Sequence, residues 1–220
     1  MDNVPNRIFL AADSTVQDYD ASEKHQGGWG EFLQVFLNEE VRVSNHAIGG
    51  RSSKTFIEEG RLLAISKEIN AGDYLFIQMG HNDSTKSKPE RFTEPFTTYK
   101  QFLKMYVTSA RNNRAVPVFI TPPARMHEKD GKFINDFPEY CAAMKEVALE
   151  EKVTLIDLME KSLRLLNTIG NKESLSLFMA SVNGTDFTHF TKKGAYQMAG
   201  LVVDGIKESN LPLQKQLIVI

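Results

Sequence analysis

A parallel β-sheet covered on both faces by helices is the fold this sequence predicts, and three observations predict it. Five short runs are almost continuously apolar, as strands buried on both faces must be. Stretches of helical period lie between them. The chain, at 220 residues, is long enough for one α/β domain with a sizeable core and short for two. Residues 1–220 are therefore expected to form a single domain.

The runs follow in order. RIFLAAD, residues 7–13, is apolar from Ile8 to Ala12 and then ends abruptly in Asp13, Ser14 and Thr15. VRVSNHAI, residues 41–48, leads into Gly49 and Gly50, and DYLFIQMG, residues 73–80, into His81, Asn82 and Asp83. VPVFIT, residues 116–121, and TLIDL, residues 154–158, complete the set. Between them, Tyr99, Phe102, Leu103, Tyr106, Val107 and Ala110 follow helical spacing, as do Ala195, Met198, Ala199, Val202 and Ile206 near the end; both stripes read as core. Successive parallel strands joined by helices cross over right-handedly, and ligands of such sheets bind outside the carboxyl ends of the strands. Ser14 is thus expected where an active site would lie. Irregular segments at residues 18–28, 84–95 and 122–138 are rich in Lys, Asp, Gly and Pro, and those that follow strand ends can wall a pocket there.

Composition excludes several classes. Hydrophobic residues at 41% and charged residues at 25% are ordinary for a globular chain. A net charge of −2 and a pI near 6.2 give no basic field for nucleic acid or anionic membrane, so neither partner is expected. No run reaches the 18 or more apolar residues of a spanning helix. The start, MDNVPNRIFL, lacks the basic, then apolar, pattern of an export signal. Cys141 is the only cysteine; an internal disulfide is excluded, and a cytoplasmic location is expected. The runs Lys86 to Arg91 and Lys145 to Lys152 read as solvated surface.

A serine hydroxyl needs a base to take its proton and an acid to orient that base. Of five histidines, only His189 has an acid at turn spacing before it, Asp186 in TDFTHFTKKG. Alone, this pair equally describes a surface histidine beside a capping acid. Acyl transfer also needs oxyanion donors. Gly49–Gly50 and Gly80–Asp83 stand at strand ends that can supply them, although each alone also reads as a chain turn with its cap. Together the three strand ends converge on one edge of the sheet. GGRSSKT, residues 49–55, misses the phosphate-binding loop because Ser53, not glycine, precedes Lys54. There is no His-Glu-x-x-His, and Asp-x-x-His supplies too few ligands for a metal site.

These blocks resemble the SGNH (GDSL-type) hydrolases and, among them, the rhamnogalacturonan acetylesterase branch. Asp13-Ser14-Thr15 is similar to the first block, Gly50-Arg51-Ser52 to the second, Gly80-His81-Asn82-Asp83 to the third and Asp186-x-x-His189 to the last; GGWG (residues 27–30) and TPPARMHEKDGKF (residues 121–133) extend the likeness. The resemblance implies a flavodoxin-like three-layer α/β/α sandwich with a five-stranded parallel sheet. It implies a carbohydrate O-acetylesterase that removes acetyl groups from pectic oligosaccharides through a serine acyl-enzyme, without metal or cofactor. Ser14, His189 and Asp186 would form the triad; the N–H groups of Ser14 and Gly50 and the amide of Asn82 would hold the oxyanion; Asp13 would be structural. A uronate-bearing substrate of a chain with negative net charge must be recognised locally, with Arg51, His81 and Arg125 as candidates and Trp29 to stack on a sugar. Arg51 and Arg125 read equally as structural ion pairs. One position departs from the pattern: Ala12 stands where the family has glycine, and a positive φ there would be strained. Esterases of xylan or of other acetylated sugars, broader lipases or thioesterases of the same family, and a non-catalytic carbohydrate-binding descendant are the alternatives.

Overall fold

All five apolar runs become strands of one parallel sheet in the computed structural model, which describes residues 6–20 and 22–218. The strands are β1 (Asn6–Ala12), β2 (Val41–Asn45), β3 (Tyr74–Gln78), β4 (Val116–Ile120) and β5 (Thr154–Ile156), in the order β2-β1-β3-β4-β5. Every pairing is parallel. This is the flavodoxin-like order expected, with the switch between β1 and β3. β1 and β3 lie inside the sheet and are buried along almost their whole length, whereas the edge strands β2 and β5 are half-covered. That difference is why the first and third runs are more uniformly apolar than the second.

Pro117 lies inside β4, where a ladder donor is missing. Val116 donates its N–H to Asp73 of the chain entering β3, so the next residue faces the β5 side. Pairing with β5 begins only at Val118. The proline therefore interrupts no bond.

Helices cover both faces. α1 (Trp29–Leu33) packs on α8 (Lys192–Glu208), which also packs on α6 (Leu158–Leu175). On the other face lie α2 (Ser53–Glu58), α3 (Arg61–Glu68), α4 (Lys100–Asn112) and α5 (Pro138–Glu151), with short α7 (Ala180–Asn183) before the last turn. The two helical stripes read from the sequence are core: Leu103, Tyr106, Val107 and Ala110 of α4 are buried, as are Ala195, Met198, Ala199, Val202 and Ile206 of α8. Buried apolar side chains from Ile8 to Leu213 form one cluster. Among the described residues no helix is long and apolar enough to cross a membrane.

Two small ladders matter for the site. Gln26–Gly27 pairs antiparallel with Phe190–Thr191, and Phe178 bridges Phe190. The chain around His189 is thereby tied to the segment that follows β1. Glu128–Lys129 pairs with Lys132–Phe133 to close the hairpin after β4.

Candidate active site

Ser14 stands two residues beyond β1, on a turn made rigid from below. The carbonyl of Asp13 accepts the N–H groups of Val16 (3.1 Å) and Gln17 (3.2 Å). Its fully buried carboxylate accepts Thr15 N–H (3.0 Å) and Thr15 Oγ1–H (2.8 Å) on Oδ1, and Oδ2 lies 3.3 Å from His81 Nδ1. Burial raises the Asp13 pKa, but the His81 charge and hydrogen bond and the Thr15 bonds outweigh it, so the carboxyl ionises below its ordinary range. Asp13 is structural, as expected, and keeps a charge where the turn needs an acceptor. Ala12 does not have a positive φ. Its backbone is extended strand and its methyl is buried, so the alanine is accommodated without strain.

The GGWG segment braces this turn from the side. Trp29 N–H donates to Thr15 O (3.0 Å) and Gly30 N–H to Val16 O (3.1 Å). A Cβ at Gly28 or Gly30 would run into the carbonyl oxygens of Gln17 and Val16, so the close approach of the two backbones requires glycine at both. Trp29 itself is 1% exposed and does not line the cleft. Its indole N–H donates to Gln78 Oε1 (2.7 Å), Gln78 Nε2 to Thr15 Oγ1 (2.8 Å), and Thr15 to Asp13. The sugar-stacking role expected of Trp29 is corrected: it anchors a buried polar chain beneath the serine. The signal available was Gln78, a lone amide at the end of an otherwise apolar run.

His189 reaches Ser14 from the far end of the chain. Its Nε2 lies 2.9 Å from Ser14 Oγ and its Nδ1 2.7 Å from Asp186 Oδ2. Asp186 Oδ1 accepts the backbone N–H groups of Thr188 (3.0 Å) and His189 (2.9 Å). One carboxylate thus folds the turn with one oxygen and orients the ring with the other. Burial raises the Asp186 pKa, and the two backbone bonds together with the His189 side chain overcome it, holding the carboxyl below its usual range. The turn is fixed by Met179 N–H to His189 O (2.9 Å), Lys192 N–H to His25 O (2.9 Å) and the Phe190 ladder.

Donors gather opposite. Gly50 has φ +80°, in the left-handed region, which glycine takes without strain. Among the described residues, neither Ser14 N–H nor Gly50 N–H donates to a protein acceptor, although the neighbouring Thr15 and Gly49 N–H groups both do. Asn82 lines the same cleft and spends one amide hydrogen on Arg51 O (2.9 Å), leaving the other free. Behind it the buried Asp83 accepts Ser53 N–H, Ser53 Oγ–H (2.5 Å) and Thr93 Oγ1–H (2.8 Å), locking the third strand end to the second. Burial nevertheless pushes the Asp83 pKa up to about 6.

The cleft, about 930 Å³, is lined by Ser14, Gly49, Gly50, Asn82 and His189, and beyond them by the loops after β3 and β4. Of the irregular segments, 84–95 and 122–138 wall it, through Arg91, Arg125, His127 and Asp136; the described residues of 18–28 do not. Arg51 is not at the cleft: its Nε pairs with Glu59 (3.0 Å) and its Nη1 donates to Gly49 O (2.8 Å), the structural ion pair rather than a substrate contact. His81 reaches the cleft edge but is buried, with Nδ1 on Asp13 and Nε2 3.1 Å from Pro123 O. Its nitrogens hold the site together. Arg125 lies in the cleft wall with its guanidinium 4.8 Å above the Phe137 ring. Arg91, read from the sequence as solvated surface, belongs to the same wall, which corrects that reading. Among the described residues no group of three or more His, Cys, Asp or Glu side chains could hold a metal ion.

Hydroxyl, imidazole and carboxylate in this relay are equipped for acyl transfer, and on a β2-β1-β3-β4-β5 sheet they place the chain among the serine hydrolases of flavodoxin-like topology. Its family follows from sequence comparison. Residues 8–202 match the model of the GDSL-like lipase/acylhydrolase family; the chain belongs to that family and is an esterase. It is 58% identical over 213 residues to the probable rhamnogalacturonan acetylesterase YesY of Bacillus subtilis, covering 97% of this chain and 98% of that one. It is 42% identical to the rhamnogalacturonan acetylesterase RhgT of the same organism, covering 97% and 95%. The crystal structure of B. subtilis YxiM superposes with a TM-score of 0.85 at 28% identity, over 94% of this chain and 58% of that one. The acetylxylan esterase Axe2 of Geobacillus stearothermophilus shares the fold, with a TM-score of 0.67 at 14% identity over 96% and 98%.

Proposed function

We propose that the protein removes acetyl groups from rhamnogalacturonan-type oligosaccharides through an acetyl-serine intermediate. The single observation that carries the chemistry is the relay from Ser14 Oγ through the His189 ring to Asp186, at 2.9 and 2.7 Å. The substrate class rests on two relatives alike over nearly their whole lengths and both named for rhamnogalacturonan.

His189 Nε2 takes the Ser14 proton as Oγ attacks the acetyl carbonyl. The negative charge that develops on the carbonyl oxygen falls to the free N–H groups of Ser14 and Gly50 and to the spare amide hydrogen of Asn82. The tetrahedral intermediate collapses as His189 returns the proton to the departing sugar oxygen. Water, deprotonated by the same nitrogen, then attacks the acetyl-enzyme, and acetate leaves with Ser14 Oγ reprotonated. Throughout, Asp186 keeps the ring in the tautomer whose Nε2 faces the serine. A cytoplasmic site of action is part of this reading, supported by a lone cysteine, Cys141, that is buried and free.

The test is acetate release from acetylated rhamnogalacturonan oligosaccharides, with Ser14→Ala as control. The variant should lose at least about a thousandfold in kcat and fail to react with a fluorophosphonate. Near-normal release by Ser14→Ala would refute the mechanism. Faster turnover of acetylated xylo-oligosaccharides by the unmodified enzyme would move the substrate to xylan with the mechanism intact.

A further inference from the structure

Nine arginines are present in the chain, and their ionic partners separate them into three groups. Arg7, Arg51, Arg61, Arg111 and Arg164 each lie within 4 Å of a carboxylate. Arg42 and Arg114 are exposed on the surface, where water serves them. Arg91 and Arg125 fit neither description. Both are half-buried, both line the cleft that holds Ser14, and among the described residues neither has an ion-pair partner.

Their hydrogen bonds are also incomplete. Arg91 reaches Thr85 Oγ1 with Nη2 (3.2 Å) and Gly50 O with Nη1 at a long 3.4 Å, while its buried Nε has no partner. Arg125 stacks on Phe137, and its buried Nε is likewise without a partner. Three carboxylates act on Arg125 from a distance, those of Asp136, Asp13 and Asp186. Each has one oxygen against a histidine, His127 at 2.6 Å, His81 at 3.3 Å and His189 at 2.7 Å, and none lies within 4 Å of Arg125, although Asp136 Oδ2 has no partner. A half-buried guanidinium without an anion bears a desolvation cost that an arriving carboxylate would offset, and the fork of N–H donors matches a carboxylate's two oxygens. Arg91 is also placed to act near the reacting ester, since Gly50, proposed above as an oxyanion donor, carries the carbonyl that Arg91 reaches.

We propose that Arg91, together with Arg125, reads a uronate carboxylate of the substrate and so determines which acetylated sugars are held against Ser14. This rests on the rhamnogalacturonan reading, because only a uronate-bearing polymer presents that charge. Arg91 is the stronger arm, since its guanidinium reaches the Gly50 carbonyl beside Ser14 whereas Arg125 is stacked on Phe137.

The experiment compares kcat/KM for acetylated rhamnogalacturonan oligosaccharides with that for the same oligosaccharides after methyl esterification of their uronates. The unmodified enzyme should prefer the free acid by about tenfold or more, chiefly through KM, as charge-assisted hydrogen bonds require. Arg91→Gln should reduce that preference to within about threefold of unity, Arg125→Gln should reduce it partway, and Arg91→Lys should restore part of what Gln loses. A preference unchanged in both glutamine variants, or absent in the unmodified enzyme, would overturn the assignment. Failure of the substrate reading looks different: the unmodified enzyme then releases no acetate from either oligosaccharide while still hydrolysing 4-nitrophenyl acetate. In that case inhibition of 4-nitrophenyl acetate hydrolysis by digalacturonate decides. Inhibition weakened about tenfold by Arg91→Gln supports the carboxylate site with another acidic substrate, and no inhibition overturns it.

Discussion

Two substitutions at one position separate the chemical from the structural work of Asp186. In Asp186→Asn the amide oxygen can keep the N–H bonds from Thr188 and His189, now at 3.0 and 2.9 Å, and the turn survives. Its NH₂ group then faces His189 Nδ1, at the position where Oδ2 now sits 2.7 Å away. Two donors cannot bond, so the ring moves its proton to Nε2 and presents an N–H to Ser14 Oγ in place of a lone pair. The base is lost while every atom stays near its place. Loss of the correct tautomer should lower kcat by about 10⁴, equivalent to roughly 5.5 kcal/mol at 1.36 kcal/mol per decade. Asp186→Ala removes the ring partner and also both N–H acceptors, and should cost a further ~1–3 kcal/mol of folding stability, a fall of about 2–4 °C in Tm per kcal/mol at this chain length. The assay is 4-nitrophenyl acetate turnover beside thermal unfolding of both variants. Retention of more than about a tenth of the activity by Asp186→Asn, or equal destabilisation by the two variants, would refute the division of labour between the two oxygens.

Other consequences follow from the same geometry. Asn82→Ala should lower kcat by about 10²–10³ with little change in KM, because the proposed mechanism has its spare amide hydrogen act only on the developing oxyanion; an unchanged kcat would leave Asn82 as a tie to Arg51 O. Ala12→Gly should preserve activity and cost ~1–2 kcal/mol in urea unfolding, because the backbone there is extended and a buried methyl is deleted; stabilisation by glycine would contradict that backbone. The Asp83 pKa of about 6 lies above the ordinary 3.8, so the folded state binds the extra proton and stability from this group declines as pH rises from about 4 to about 6, by at most ~3 kcal/mol. Asp83→Asn should therefore gain on the unmodified protein over that window, and a pH-independent difference between the two would refute the buried, reluctant ionisation.

Features carried by local pattern were legible in the sequence, and features carried by long-range pairing were not. The strands could be read because burial on both faces forces a continuous apolar run, and the convergence of Ser14, Gly50, Asn82, Asp186 and His189 on one cleft because each stands in a short block at a strand end or turn. Trp29 was misread for a definite reason. An aromatic between glycines looks like an exposed stacking platform, and only the hydrogen bond to Gln78, 49 residues away, shows that its indole is consumed inside the protein. Arg91 was hidden by its neighbours: it ends a run of charges that does face water, and the turn set by Arg91 N–H on Lys88 O (3.1 Å) brings this one side chain to the cleft. Arg51 shows the opposite case, since its place beside Gly50 suggests substrate while Glu59, eight residues on, takes the charge.

A core strand delivers the serine because position must be fixed before chemistry can be fast. β1 is paired on both sides, and the buried chain from Trp29 through Gln78 and Thr15 to Asp13 extends its rigidity past the last ladder bond. The N–H groups of Ser14 and Gly50 ride on adjacent strand ends of that same sheet, so the nucleophile and these two proposed oxyanion donors share one rigid frame. The base does not: His189 arrives on a turn near the far end of the chain, docked by the two-residue ladder to Gln26–Gly27 and by the Phe178 bridge. Hydrogen exchange should accordingly find the His189 turn opening more readily than β1, because a few ladder bonds hold the one and a full sheet the other. Activity is then lost by local opening of that turn before the fold unfolds, so substitutions that loosen the ladder should lower kcat at temperatures where the sheet is still intact.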